Sequence, residues 1–168
     1  LGFEMFKNQI SNQDPLISNA YIKKHHPIFF SDTITTFASD ETYAILPDII
    51  TVFKNVKAPR KTIDKLLKIY ISNVESQYEF DGDITKEKIF VLNKISNIAL
   101  LKEDAKLYRK ILNEIYFNRK DKFYNQHQID LDPLYAGVKN TPEVKEIENR
   151  IKEDILFMRT KAIDFLKK

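Results

Sequence analysis

Few residues in this sequence combine the types and spacing that catalysis or metal binding requires. His25 and His26 are adjacent and precede Pro27, and the third histidine, His127, lies alone in a polar stretch. Adjacent histidines do not share a helix face, and no carboxylate lies at ligand spacing from them, so we expect no zinc site. The 168-residue chain contains no cysteine, which excludes a disulfide framework, a zinc-thiolate site and a cysteine nucleophile.

One acidic segment has the composition of a calcium loop, because four carboxylates surround Gly82: Glu79, Asp81, Asp83 and Glu87. An EF-hand loop requires glycine at its sixth position, an acid at its first and glutamate at its twelfth. With Gly82 as the sixth position, the first is Gln77 and the twelfth is Lys88. The register therefore fails at both ends, and we predict a turn in which Asp83 or Thr85 caps the following helix.

Glycine is scarce, and this scarcity excludes several classes of enzyme. The chain has only Gly2, Gly82 and Gly137, whereas phosphate-binding loops and nucleophile elbows need several glycines close together. No carboxylate pair and no Ser–His–Asp set can be assembled from the sequence. We therefore assign no catalytic, cofactor-binding or metal-binding residue and expect no cofactor.

Lysines recur at steps of three and four residues and could form a basic face for phosphate or for an acidic partner. They are Lys54, Lys57, Lys61, Lys65 and Lys68. Pro59 interrupts the helical pattern between them, so we expect the stripe to divide into two faces. Lysine-rich helices are also typical of an ordinary solvated surface.

Aromatic residues near predicted loops either line a peptide groove or pin the corners between helices. They are Phe29, Phe30, Tyr78, Phe80, Phe117, Phe123 and Tyr124. Combining the lysines and the aromatics gives the candidate partner-binding residues Lys61, Lys65, Lys68, Tyr78 and Phe80.

The elements that must position these residues are least regular in the first 38 residues. The apolar spacing at residues 1–10 is typical of a short helix, and a second helix is expected to begin with Pro15. Residues 25–32 are expected to form a connector, because Pro27 disfavours helical geometry at His26.

A stronger helical pattern begins at Ser39, which can cap a helix whose first turn contains Asp40 and Glu41. We expect Pro47 to start a second helical segment and Pro59 to end it.

From Arg60 onward, apolar residues recur at the spacing of amphipathic helices. Helices are predicted from Arg60 to Tyr78, around Ile89 to Ala99, from Ala105 to Ile115, and from Pro142, which Thr141 caps, to the end. The residues of the last helix expected to face inward are Val144, Ile147, Ile151, Ile155, Met158, Ala162 and Phe165. No strand-like alternation appears, so the fold class is predicted to be all-α, built from helix pairs with short connections.

The composition fits one globular domain without pointing to a nucleic acid or a bilayer. Hydrophobic residues make up 43% of the chain, charged residues 30%, and the net charge of +3 is spread among interleaved acids and bases. A nucleic-acid surface requires clustered positive charge, and no apolar run approaches the roughly 20 residues of a bilayer span. Since Leu1 is not a start methionine, we expect the chain to be part of a longer protein.

Residues 107–147, "LYRKILNEIYFNRKDKFYNQHQIDLDPLYAGVKNTPEVKEI", resemble the end of tetratricopeptide-repeat regions of bacterial signalling and regulatory proteins. In that family the last repeat helix is followed by Asp-Pro-x-aromatic-x-x-Leu-Arg-x-x-Pro-x-Phe and a final helix. The positions that match or stand in for this motif are Asp132, Pro133, Tyr135, Val138, Lys139, Pro142 and Val144. Ala136-Gly137 replaces a second Asp-Pro, and Arg109 stands where the preceding repeat expects an aromatic residue.

The resemblance implies a tetratricopeptide-like α-solenoid of stacked antiparallel helix pairs with a C-terminal capping helix. Residues 59–168 would form the repeats and the cap, and residues 1–58 a divergent helical part of the same continuous domain. Tyr135 and Val138 would pin the connector to the cap, whose outer face carries Lys145, Asn149, Lys152 and Glu153. The implied function is a non-catalytic, regulatory module in the bacterial cytoplasm or periplasm that binds a protein or peptide on a concave surface.

Two other classes of function remain open at this point. A helical enzyme with its site in residues 1–58 would have a deep polar pocket around His25, His26 and Asp32. A nucleic-acid-binding helical domain would require the lysines to merge into one patch.

Overall fold

The computed structural model describes residues 14–120 and 133–167, which fold into helices without a β-strand. The α-helices are α1 (Pro15–His25), α2 (Asp40–Asn55), α3 (Arg60–Tyr78), α4 (Ile89–Leu101), α5 (Ala105–Asn113) and α6 (Pro142–Leu166). A π-helical turn, Glu114–Asn118, continues α5, and short 3-10 helices span Pro27–Phe30 and Pro133–Gly137. The predicted all-α class is confirmed. Among the described helices, none is long and apolar enough to cross a membrane.

Side chains at the predicted starts of α1 and α2 accept hydrogen bonds from the first helical turn. The Asp14 carboxylate accepts from the backbone N–H of Leu16 at 2.8 Å, and the Ser39 hydroxyl accepts from that of Glu41 at 3.2 Å. These bonds satisfy backbone donors that have no partner within the helix. At α6, Thr141 is the N-cap residue as predicted, but its hydroxyl donates to the Val138 carbonyl at 2.7 Å and does not cap the helix.

Helix α2 runs through Pro47, so the prediction that this proline starts a separate segment was wrong. Proline in a helix interior costs roughly 3 kcal/mol, because it cannot donate the helical hydrogen bond. The apolar side chains that α2 buries outweigh this cost, since each large one contributes roughly 1.5–3 kcal/mol. They are Ile45, Leu46, Ile49, Ile50, Val52 and Phe53.

In the described part of the chain, four corners after helix ends have a left-handed backbone at residues other than glycine. The φ angles are 53° at Lys57, 51° at Glu79, 56° at Glu103 and 58° at Lys120. Each follows a helical segment, and each is a charged residue with an exposed side chain. The chain therefore ends these helices with the geometry that glycine usually supplies, but with charged residues in its place.

Consecutive helices pack on one another, and a single apolar core extends from Ile22 in α1 to Ile151 in α6. Helix α2 contacts both α3 and α4, and the 3-10 helix Pro133–Gly137 contacts α2 and α4. The largest fully buried side chains are aromatic: Tyr70, Tyr108, Tyr116, Tyr135 and Phe53. No pair among the helices of residues 14–120 and 133–167 stands apart from this common core.

The connector that follows Asp132, a residue outside the described part, packs on α2 and α4. Tyr135 is 2% exposed and Val138 fully buried, so the prediction that these two residues pin the connector is confirmed. The Tyr135 ring also contacts the ring of Tyr108 in α5, with 6.0 Å between centroids. The connector thereby fixes where α6 begins.

A lysine joins α2 to the end of α4, beside the connector. The Lys54 ammonium donates to the Leu101 carbonyl at 2.6 Å and to the Glu103 carboxylate at 3.0 Å. Gly137 lies directly against Glu103, since a Cβ atom at Gly137 would be 2.8 Å from the Glu103 Cγ. We call this contact of Lys54, Leu101, Glu103 and Gly137 the Lys54 junction.

Helix α6 runs parallel to α5. Arg109 pairs with Glu146 at 2.6 Å and Arg150 donates to Asn113 at 3.4 Å, so the two contacts have the same sequence separation. The Arg150 guanidinium also lies 4.5 Å from the Phe117 ring centroid. A constant offset between paired residues is expected only for parallel helices.

Only the first half of α6 is buried, and the prediction for its second half was wrong. Val144, Ile147 and Ile151 are fully buried and Ile155 partly so, whereas Met158, Ala162 and Phe165 are exposed. The helix contacts α5, whose continuation ends at Asn118. Beyond Ile155, α6 extends past α5, and its apolar residues face solvent.

We expect a truncation after Asn140 to be insoluble or partly unfolded, because it would expose the apolar face of α5. Each large side chain exposed costs roughly 1.5–3 kcal/mol, against a total stability of about 5–15 kcal/mol for a typical domain. Ile151→Asp should cause nearly as much damage, since it buries an unpaired charge. Thermal unfolding followed by circular dichroism measures both effects.

Two controls belong to that experiment. Lys152→Ala changes an exposed residue one step around the helix, and a truncation after Ile155 keeps all the buried residues of α6. Both should melt close to the parent. If the truncation after Asn140 also melted like the parent, α6 would be an appendage and not a cap.

Gly137→Ala should destabilise the protein by about 1 kcal/mol, because the added methyl group displaces Glu103 and breaks its ion pair with Lys54. The matched test is the same substitution in a Glu103→Ala background, where the methyl group meets no glutamate side chain. Urea unfolding of the four proteins gives the coupling energy. Equal losses in both backgrounds would show that the contact with Glu103 is not the cause.

Candidate functional site

A groove of about 390 Å³ opens between the start of α2, the second half of α3 and helix α4. Three consecutive helices contribute its lining, which is rich in tyrosine and in amide side chains. We call it the tyrosine groove; its lining residues are Asp40, Glu41, Tyr43, Ala44, Tyr70, Asn73, Val74, Gln77, Tyr78 and Lys94.

The helical repeat of α3 explains why this helix contributes half of the lining. Tyr70, Asn73, Val74 and Gln77 are three and four residues apart, so they share one helix face. Tyr70 and Val74 are 1% exposed, whereas Asn73 is half-buried and Gln77 is exposed. Buried side chains thus form the floor, and the two amides stand above it on the wall.

The floor tyrosine is held in its neutral form. The Asn97 amide donates to the Tyr70 hydroxyl at 3.4 Å. Burial raises the pKa of Tyr70 to about 12, and the nearby Tyr78 and Asp48 act in the same direction. The phenol therefore keeps its proton well into the alkaline range and offers a hydrogen-bonding group without charge.

Charges of both signs lie at the mouth of the groove. Asp40 and Glu41 are exposed in the first turn of α2, and Lys94 is half-buried on α4. The Tyr43 hydroxyl accepts a hydrogen bond from the backbone N–H of Phe37 at 2.9 Å, which fixes the wall beside the acids. The groove therefore offers a negative and a positive rim around neutral hydrogen-bonding groups.

One candidate partner-binding residue lines this groove. Tyr78 lies at the C-terminal end of α3, where its ring packs edge-on against Phe90 with 5.6 Å between centroids. Phe80, two residues on, is half-buried and packs against the core. These two aromatics therefore link the end of α3 to the body of the protein.

The candidate lysines lie at the other end of α3. Lys61 pairs with Asp32 at 3.5 Å, and Lys65 donates to the Ser31 carbonyl. Burial lowers the pKa of Lys65, and the positive charge of Lys61 adds to this effect, while Asp32 opposes it. Lys68 is exposed and, at 1.5 Å per residue, lies about 15 Å along the helix from Tyr78. The structure does not bring the lysines and the aromatics together.

The two remaining lysines of the stripe lie before Pro59. Lys54 belongs to the Lys54 junction, and Lys57 occupies a left-handed corner. Helix α2 ends at Asn55 and α3 begins at Arg60, so the stripe divides where the sequence predicted.

The other aromatic residues in the described part mostly pin corners. Phe29 is buried against Phe37 with 5.3 Å between ring centroids, and Phe30 contacts Phe53 at 4.8 Å. Phe117 lies under the Arg150 guanidinium. Phe123 and Tyr124 lie outside the described residues.

The acidic segment around Gly82 forms a turn, but it does not cap α4 as predicted. The Thr85 hydroxyl and backbone N–H donate to the Asp83 carboxylate at 2.7 and 3.1 Å, and Lys86 pairs with it at 3.1 Å. The bond from the Thr85 hydroxyl, followed by that from Lys86, lowers the pKa of Asp83 to about 2. Helix α4 begins three residues after Lys86, with Lys88 at its N-cap and no side-chain cap.

This turn is attached to the end of α5. Arg119 donates to the carbonyls of Ile84 and Thr85 at 3.3 and 2.7 Å, and pairs with the buried carboxylate of Glu114 at 2.9 Å. Asn118 also donates to Glu114 at 2.6 Å, and these hydrogen bonds lower the pKa of Glu114. The acidic turn thus has a structural role.

The histidines do not form a metal centre with their neighbours in residues 14–120 and 133–167, where no group of three or more His, Asp or Glu side chains could hold a metal ion. Burial lowers the pKa of His26, and His25 contributes to the shift. His127 lies outside the described residues.

No protein-family model, no curated protein and no solved structure matches this chain. The resemblance to tetratricopeptide-repeat regions therefore stays a prediction. Sequence patterns missed Tyr43, Asn73 and Lys94, because three different helices bring them into one groove. The sequence feature that could have indicated the groove was the pair of amide residues, Asn73 and Gln77, beside the buried face of α3.

The raised pKa of Tyr70 predicts a loss of stability in alkali. Since the pKa is higher in the folded state than in the unfolded state, its contribution is complete below pH 10. It is lost as the pH rises from about 10 to about 12. Two pH units correspond to roughly 2–3 kcal/mol. Denaturant unfolding across this range, compared with Tyr70→Phe, measures the difference.

Tyr70→Phe is the matched variant because it keeps the ring and removes the ionisable group. Its free energy of unfolding should fall less steeply above pH 10 than that of the parent. Parallel curves for the two proteins would show that Tyr70 ionises as easily in the folded chain as in the unfolded one.

Proposed function

We propose that this chain is a non-catalytic interaction module that binds an extended peptide segment of a partner protein in the tyrosine groove. The observation that carries the proposal is the pair of amide side chains, Asn73 and Gln77, which stand above a floor of buried tyrosine. An amide side chain offers both a donor and an acceptor, and the backbone of an extended peptide presents the complementary groups.

The scaffold supports recognition without induced folding. The groove wall belongs to α2, α3 and α4, which share one core, and its floor residues Tyr70 and Val74 are part of that core. Sites on rigid helices hold hydrogen-bonding groups in place before binding, which lowers the entropy lost on association.

The charged rims would give the peptide a direction. Asp40 and Glu41 favour a basic residue at one end of the peptide, and Lys94 favours an acidic residue at the other. Because these side chains are exposed or half-buried, we expect them to affect the rate of binding and its salt dependence more than its strength.

We further propose that the helices form a short tetratricopeptide-like solenoid in a bacterial regulatory protein. Support comes from α2, which contacts both the next helix and the one after it, and from the connector, which packs on α2 and α4. Such contacts between elements two apart are expected when helix pairs stack. Helices α5 and α6 run parallel, as corresponding helices of neighbouring pairs do in a stack. The two helices of a single pair would run antiparallel.

The two alternative functions would require a deep polar pocket around the histidines or one merged patch of lysines. The cleft beside His26 is lined mainly by apolar side chains, and Asp32 pairs with Lys61 outside it. The lysines at the start of α3 face the loop around Ser31, so they do not merge with Lys54. A helical enzyme and a nucleic-acid-binding domain therefore have less support than a peptide-binding module.

Selection of short random peptides on the immobilised protein provides the test. We expect selected peptides to bind an Asn73→Ala, Gln77→Ala double variant about tenfold or more weakly than the parent. Two hydrogen bonds of about 0.5–1.5 kcal/mol each are lost, and 1.4 kcal/mol corresponds to a factor of ten. Fluorescence polarisation with a labelled selected peptide measures the affinities.

The matched control is Asn149→Ala, which removes an amide from the exposed outer face of α6 and should bind as the parent does. If no peptide is enriched, or if the enriched peptides bind the double variant with unchanged affinity, the groove is not a peptide site.

A further inference from the structure

Two apolar surfaces lie at the two ends of the row of packed helices. Helix α1 packs on α2 at one end, and α6 packs on α5 at the other. Beside α1 lies a cleft, and beyond Ile155 lies the exposed second half of α6, which we call the α6 tip (residues 156–167). The cleft is bordered by the core residues Phe29, Phe37 and Ile45, and neither surface includes a residue of the Lys54 junction.

The cleft has the size and composition of a binding site. Its volume is about 720 Å³, within the range of ligand pockets in proteins. Apolar and aromatic side chains form most of its wall: Tyr21, Ile28, Phe29, Ile34, Phe37, Ala38 and Ile45. The backbone of Phe37 is held by the Tyr43 hydroxyl and its ring by Phe29, so this wall is anchored to α2.

The cleft lining contains one acidic residue, Glu41, and one histidine, His26. Burial, together with the neighbouring His25, lowers the pKa of His26, so the imidazole is neutral at neutral pH. Glu41 is an exposed acidic residue. The cleft is therefore apolar with a negative rim.

The α6 tip is also apolar but carries charge of the opposite sign. Leu156, Ile163 and Leu166 are 66%, 51% and 82% exposed. With Arg159 they follow the spacing i, i+3, i+7 and i+10 along one helix face, the pattern of a helix that docks in an apolar groove. The tip carries Arg159, Lys161 and Lys167 against a single acid, Asp164. It is therefore an apolar helix with a net positive charge.

We propose that the α6 tip of one copy of this chain docks in the cleft of a second copy, so that copies associate head to tail. The occupant matches the cleft in both respects, because an apolar face enters an apolar wall and Arg159 approaches the negative rim at Glu41. A symmetric contact between two tips is disfavoured, since it would bring six basic side chains of the two copies against two acidic ones.

The contact is heterologous, because two different surfaces of the same chain meet. Repetition of such a contact produces closed rings or open filaments. One helix face in one cleft buries a small area, so we expect weak association, with dissociation constants on the order of micromolar. Peptide binding is a separate activity: the tyrosine groove shares only Glu41 with the cleft.

Two complementary variants test the proposal. Ile163→Glu with Leu166→Glu blocks the tip, and Ala38→Trp fills the cleft; all three positions are exposed, so the fold should tolerate the changes. Leu156→Glu with Ile163→Glu is a second tip variant in case the first misfolds. Circular dichroism first checks that each variant melts like the parent.

Sedimentation velocity from about 1 to 100 μM, a range that brackets a weak interface, should show association of the parent. Each variant alone should remain at the monomer mass of 19.8 kDa. Mixed in equal amounts, the two should form a species of twice that mass and no larger, because one retains only the cleft and the other only the tip.

Three results would overturn the proposal. A parent that stays monomeric across this range would mean that no second copy enters the cleft, as when another segment of the same chain occupies it. Association of Ala38→Trp alone would show that tips pair with tips. Association of a tip variant alone would show that the contact uses other surfaces.

Discussion

The position of α6 depends on how the connector packs against the Lys54 junction, where residues about fifty and more than eighty positions apart in sequence meet. The ammonium of Lys54 lies at the negative end of the α4 dipole and satisfies the Leu101 carbonyl, which has no helical partner. Gly137 admits the connector close to Glu103. With the connector held there, Tyr135 and Val138 are buried, and α6 starts where Ile147 and Ile151 reach the apolar face of α5.

The same packing produces the candidate site. Helix α3 is amphipathic, and the edge of its buried face also forms the floor of the groove. Tyr70 and Val74 belong both to the core and to this floor. The hydroxyl of Tyr70 must find a polar partner when its ring is buried, and Asn97 of α4 supplies one. Because the buried Tyr70 hydroxyl needs a hydrogen-bonding partner for the protein to fold, neutral hydrogen-bonding groups lie at the base of a surface groove.

Local patterns predicted the helices and the Ser39 cap, since each of these depends on residues close in sequence. The pinning of the connector by Tyr135 and Val138 was instead implied by the resemblance to tetratricopeptide-repeat regions, and the elements on which the connector packs are distant in sequence. Pro47 was misread because tertiary burial overrides a local propensity. The prediction that Phe165 faces inward was wrong, because periodicity identifies an apolar helix face but does not show whether another helix packs on it. Asp83 was misread because a carboxylate that binds its own turn also looks like a helix cap. The groove itself could not be predicted, because its wall combines side chains from three helices.

The left-handed corners at Lys57, Glu79, Glu103 and Lys120 also bear on how this chain can evolve. A left-handed backbone at a residue other than glycine costs roughly 1–2 kcal/mol, and glycine would relieve that strain at some entropic cost to folding. The side chains of Lys57, Glu79 and Lys120 take no part in the core, the groove or the Lys54 junction, so these residues can change without disturbing any of them. The chain thus retains unused stabilising substitutions, which would let a lineage accept costly mutations in its binding surfaces and remain folded.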